Sequence, residues 1–162
     1  MTGELIRFQQ AQADSAAGYA AALRELQTTG KLGHWIWYIF PQLSGLGSSS
    51  QARRYAIQGR QEALEYLRDP VLGPRLLAST QAVLQRLKSG MSLQELMGSE
   101  LDVLKLISSL TLFEAVSRDQ RSPQPDASGE DFAEVARQLL AMAEARGYER
   151  CARTLTLLRD QA

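Results

Sequence analysis

Apolar side chains recur along this chain at the three- and four-residue intervals of helices rather than the two-residue interval of strands. From Asp14, "DSAAGYAAALRELQTTGK" sets Tyr19, Leu23 and Leu26 on one face, with Asp14 or Ser15 as the expected cap and Gly30 as the stop. "RQEALEYLRD" repeats the spacing through Ala63, Leu64 and Leu67. Pro70 separates it from "VLGPRLLASTQAVLQRLKSG", where Leu72, Leu76, Val83, Leu84 and Leu87 share a face and a start near Pro74 is predicted. Ser92 followed three residues later by Glu95 predicts a capping box for the short helix "SLQELMG". "ELDVLKLISSLTLFEAVSR" reads as a largely buried helix. Phe132, Val135, Leu139 and Met142 align in the next, and "CARTLTLLRDQA" adds a last short one. With no internal repeat and no hairpin signal, the predicted class is all-α.

One stretch departs from this amphipathic rhythm. Residues 31–50, "KLGHWIWYIFPQLSGLGSSS", hold the single histidine and both tryptophans. Propensity alone makes His34 to Phe40 a strand, but the segment lacks polar alternation and its neighbours are helical. As a short helix it puts His34, Trp37 and Tyr38 on one side and Trp35 with Ile39 on another. A helix apolar nearly all round belongs at the centre of the fold. Pro41 ends it at Phe40, Gly45 and Gly47 let the backbone turn, and Ser48 or Ser49 caps the next helix.

A chain of 162 residues fits one compact multi-helix domain, 1–162, burying roughly 70% of its unfolded surface around a metal-free core. The segment 119–129, "DQRSPQPDASG", is the predicted flexible linker within it. Lysine plus arginine and aspartate plus glutamate number 18 each, so no net field draws the protein to nucleic acid or an anionic membrane. No apolar run reaches the roughly 20 residues of a membrane-spanning helix. One cysteine, Cys151, allows no intrachain disulfide, and "MTGELIRFQQ" lacks the apolar core of a secretory signal. The expected setting is cytoplasmic, as a monomer or weak homodimer.

"KLGHWIWYIFPQLSGLG", "RYAI", "YLRDPVLGPRL" and "LKLISSLTLF" together resemble a bacterial family catalogued as domain of unknown function 1810. The resemblance runs from "RFQQAQ" to "TLTLL". It implies a compact, mainly helical domain and no assigned activity; a calpastatin label sometimes attached to the family has no visible support here. Two positions depart from the family's pattern. Ile107 stands where the family commonly has an arginine, and "GYERCA" stands where its shorter C-terminal part carries an acidic turn.

Three readings of the chemistry follow. In the first, a small phosphate-bearing or nucleotide-like ligand stacks on Trp35 or Trp37 while its anion sits in the Gly45, Gly47, Ser48, Ser49 turn at free helix amides. His34, Gln42, Lys105, Ser108 and Ser109 orient it; Lys105, Ser108 and Ser109 share a helical face. The turn is neither a P-loop nor a dinucleotide fingerprint, and no cofactor is expected. Lys105 has two candidate partners, Asp102 one turn earlier or the ligand's anion. The second reading nests a hydrolase or transferase in the same pocket, with His34 as proton shuttle and Lys105 stabilising negative charge. The third is a protein-interaction module docking through an aromatic patch. One histidine and one cysteine do not make a zinc site, and the acids at Glu100, Asp102 and Glu134 suit helix starts. No metal is expected.

Overall fold

The computed structural model describes residues 2–119 and 131–161. The linker predicted at 119–129 falls, beyond residue 119, outside them. The described residues form ten helices in chain order: α1 (Thr2–Gln12), α2 (Tyr19–Gln27), α3 (Ile36–Ile39), α4 (Ser50–Arg54), α5 (Arg60–Arg68), α6 (Leu72–Lys88), α7 (Leu93–Met97), α8 (Glu100–Asp119), α9 (Phe132–Ala145) and α10 (Ala152–Asp160). The chain is all-α, as its periodicity predicts. The one extended pairing among the described residues is an isolated parallel bridge between Leu43 and Ile57.

α8 is the axis of the fold. From residue 106 to 116 every position is buried, Leu106, Ile107, Leu110, Leu112, Phe113 and Val116 among them, and α3, α5, α7, α9 and α10 pack against the helix, while its first turn stays open at Leu101 and Leu104. A stretch of helix with no solvent face is stable only when neighbours cover it all round. α6 instead buries one stripe, Leu72, Leu76, Val83 and Leu87, against α2, α5 and α9.

Local chemistry sets the ends. Ser92 accepts from Glu95 N while the Glu95 carboxylate accepts from Ser92 N, so the predicted capping box opens α7. α6 begins at Leu72 rather than near Pro74, because Asp69 Oδ1 takes the amides of Val71 and Leu72, both at 2.9 Å. Asp14 does not open α2. Its carboxylate takes Ala16 N at 2.7 Å and Ala17 N at 2.9 Å in a separate turn, and the helix starts at Tyr19. α1 carries no strong apolar signal, yet it docks through Leu5 and Phe8 and through buried Gln12, whose amide donates to Tyr38 O at 2.8 Å.

Candidate functional site

α3 is the short helix expected between His34 and Pro41, and Phe40 ends it in a non-helical conformation ahead of the proline. Its three candidate rings separate sharply. Trp35 is fully buried, and its indole nitrogen donates to Glu25 Oε1 at 2.8 Å. His34 is exposed and makes no hydrogen bond or ion pair among the described residues. Trp37 is partly buried, packed on the core at one edge. Only Trp37 therefore offers a ring surface beside charge: the Lys105 ammonium lies 4.8 Å from its centroid.

Lys105 finds its sequence neighbour, and that neighbour has a stronger attachment elsewhere. Asp102 Oδ1 is 3.4 Å from Lys105 Nζ, while Asp102 Oδ2 is 2.7 Å from Lys31 Nζ. Lys31 also donates to Gly33 O at 2.7 Å and lies over the Trp35 ring at 5.2 Å. Its side chain is only 7% exposed, against 27% for Lys105. The close, enclosed pair is Lys31 with Asp102; Lys105 keeps the looser contact and donors to spare.

One turn along α8, the Ser108 hydroxyl donates to Gln42 Oε1 at 3.0 Å. That bond joins the Pro-Gln step after α3 to the wall carrying Lys105, and leaves the Gln42 amide nitrogen without a partner among the described residues. Ser109 is buried, and its hydroxyl has no partner among the described residues. Trp37, Gln42, Lys105 and Ser108 thus form one wall, with Leu101 (68% exposed) and Leu104 (50% exposed) on the open side of the same helix.

The glycine-serine turn is built differently. Ile57 N donates to Gln42 O and Ser44 N to Ile57 O, both at 2.8 Å, fixing where the turn leaves the core. Gly45 has φ +101° and lies near Leu157, where an added Cβ would be 3.6 Å from Leu157 Cδ1. At Gly47 the constraint is space, since a Cβ would come within 2.7 Å of Ala52 Cβ. Ser49 is the cap, accepting from Ala52 N at 3.1 Å, so one amide counted for an anion is already occupied, and α4 has only five residues to build a dipole. Among the described residues no hydrogen bond, ion pair or ring contact joins this turn to Lys105 or Trp37. Two surface hollows, one lined in part by Gln81, Lys88, Asp131 and Glu134, the other by Met91, Gln94, Arg146 and Tyr148, contain none of the candidate residues.

Lys31 and Glu25 were invisible as site-builders in the sequence. Glu25 Oε1 accepts from Leu32 N (2.8 Å), Gly33 N (2.9 Å) and Trp35 Nε1. Burial works to raise its pKa, but those hydrogen bonds and nearby Lys31 outweigh it and hold the carboxyl below its ordinary value. The only sequence signal was that Lys31 opens the aromatic stretch. Cys151 is the N-cap residue of α10, its amide donating to Thr111 Oγ1 at 3.1 Å, and no hydrogen bond joins it to His34 among the described residues. Ile107 is buried, and the positive charge beside this wall is that of Lys105 and Lys31.

Comparison with known proteins agrees with this architecture. A family model described as protein of unknown function (DUF1810) matches residues 2–135. A crystal structure of a conserved hypothetical protein from Mycobacterium tuberculosis is 40% identical, covers 98% of this chain and 99% of its own, and superposes with a TM-score of 0.76. No curated protein matches. The chain belongs to the DUF1810 family.

Proposed function

We propose that this DUF1810 member, acting as one helical domain, binds a small anionic ligand of the nucleotide or phosphate-bearing kind at the wall formed by α3 and α8. One observation carries the reading: Asp102 is held by Lys31 at 2.7 Å, so Lys105, 3.4 Å from the same carboxylate, is a cation with unfilled donors on the face of Trp37. Such an ammonium, partly removed from water, gains most from an anion. The Gln42 amide nitrogen, without a partner among the described residues, adds a donor where Ser108 ties the Pro-Gln step to α8. Stacking falls to Trp37 alone, since Trp35 is sealed in the core. The hydrolase or transferase reading draws no support from His34, which is exposed and has no hydrogen bond or ion pair among the described residues to orient or activate it. A cytoplasmic setting is supported by the lone cysteine, and a bacterial origin by the Mycobacterium tuberculosis neighbour.

Titration of a Trp35→Phe variant, in which Trp37 is the sole indole, with a panel of nucleotides and sugar phosphates tests this directly. A saturable fluorescence change for at least one compound, competed by sulfate beyond matched chloride and lost in Lys105→Ala, is the expected result. A flat response across the panel overturns the reading. The interaction-module reading has its own observation, the exposure of Leu101 and Leu104 beside Lys105, which suits a partner offering apolar side chains and an acid.

A further inference from the structure

We infer that Asp102 sets the charge this site accepts, so that its ligand class is a monoanion, such as a phosphodiester or a carboxylate with a flat or apolar body, rather than a phosphomonoester dianion. The inference rests on the anion reading above and concerns what that anion must be.

Two ammonium groups, Lys31 and Lys105, share one carboxylate at 2.7 and 3.4 Å. Among these three groups one positive charge is left over, and the further charged group near Lys31, the Glu25 carboxylate, adds a negative charge rather than another cation. An anion bound to Lys105 at about 2.8 Å stands within roughly 6 Å of Asp102 Oδ1, well inside the Debye length of about 8 Å at physiological salt. Attraction to the surplus charge grows in proportion to the ligand's charge, whereas the cost of taking that charge out of water grows as its square. The first negative charge is matched by Lys105. A second finds no further cation in the ion pairs of this site among the described residues, because Lys31 is already closed by Asp102 and Gly33 O, and it faces the Asp102 carboxylate instead. The flanking Leu101 and Leu104 favour a ligand whose remaining surface is uncharged.

Adenosine monophosphate and its 3′,5′-cyclic form share base and ribose but differ by one charge at pH 7.5, as phenyl phosphate and benzoate differ by one charge on a common ring. With Trp35→Phe as the reporter background, the singly charged member of a pair should bind several-fold more tightly. Asp102→Asn keeps an acceptor for Lys31 and removes one negative charge, and should shift the ratio of the two Kd values about tenfold toward the dianion. A wild-type arm needs no folded variant: lowering the pH from 7.5 to 5.5 converts the monophosphate to a monoanion, with a second pKa near 6, and should tighten it relative to the cyclic form. If the dianion binds more tightly at pH 7.5, or if neither the pH change nor Asp102→Asn moves the ratio, the inference fails while anion binding stands. If no member of either pair gives a Lys105-dependent response, anion binding at this wall fails and the inference with it.

Discussion

The indole nitrogen of Trp35 and two backbone amides, those of Leu32 and Gly33, converge on a single oxygen, Glu25 Oε1, at 2.8 to 2.9 Å. Glu25 on α2 thereby shapes the loop that presents Lys31 to Asp102. Glu25→Ala leaves a buried indole N–H unpaired and should cost about 1–3 kcal/mol in urea unfolding. The pH dependence has a defined sign. Burial would raise the Glu25 pKa, but the hydrogen bonds and Lys31 hold it lower when folded than when unfolded. Its contribution is thus fully present above the ordinary carboxylate value and is lost as pH falls through the depressed folded value. Stability of the wild type should drop more steeply than that of Glu25→Gln below about pH 5; parallel curves would contradict this.

Because Trp35 is fully buried and Trp37 only partly, the two indoles should differ in collisional quenching. Trp37→Phe, which keeps Trp35, should resist iodide and emit further to the blue. Trp35→Phe should be quenched readily and emit to the red. Equal quenching of the two variants would mean that the wall is not arranged as described.

Most of the fold was legible because burial on one side of a helix writes itself into the sequence. The stripes of α2, α6 and α9 and the Ser92/Glu95 box are local patterns that tertiary structure had only to accept. α1 was not legible, since its anchors are Leu5, Phe8 and a glutamine buried for its hydrogen bonds rather than its hydrophobicity. The site divided in the same way. Lys105 with Asp102 is a three-residue spacing visible in the chain, but the stronger claim of Lys31 on that carboxylate is made across the fold. Periodicity likewise gave Trp35 and Trp37 no ranking; Glu25, ten residues before Trp35, is what fixes one of them in the core.

Glu114 is a nearly buried carboxylate on α8, bonded to Arg150 at 2.6 Å, with exposed Arg118 further off at 3.6 Å. Arg150 lies beyond the family-matched residues, in the "GYERCA" segment, and ties the start of α10 to the axis of the fold. Arg150→Met should cost about 2–4 kcal/mol by leaving the carboxylate short of its main partner. Adding Glu114→Gln should recover part of that loss, because the uncompensated charge goes with it. Additive losses in chemical denaturation would show that the pair is not coupled.

Gly45 and Gly47 stand two residues apart in one turn and should respond to substitution for different reasons. Gly45 has φ +101°, a backbone state that strains any L side chain, while its surroundings would admit a methyl group beside Leu157. Gly45→Ala should therefore cost about 1–2 kcal/mol wherever the neighbours are left or changed. Gly47 is outside the left-handed region, and its constraint is the Ala52 methyl, 2.7 Å from where a Cβ would stand against the roughly 3.5–4.0 Å that carbon atoms prefer. Gly47→Ala should cost about 1–3 kcal/mol by forcing α4 away from the turn. Ala52→Gly alone should cost up to about 1 kcal/mol of helix propensity. Combined with Gly47→Ala it should restore stability, since the second methyl is gone. The same Ala52→Gly change should do nothing for Gly45→Ala. A double-mutant cycle by urea unfolding reads both pairs: coupling at 47 with 52 and none at 45 with 52 is the expected pattern, and equal coupling at both would assign the turn's constraint to something other than the Ala52 contact.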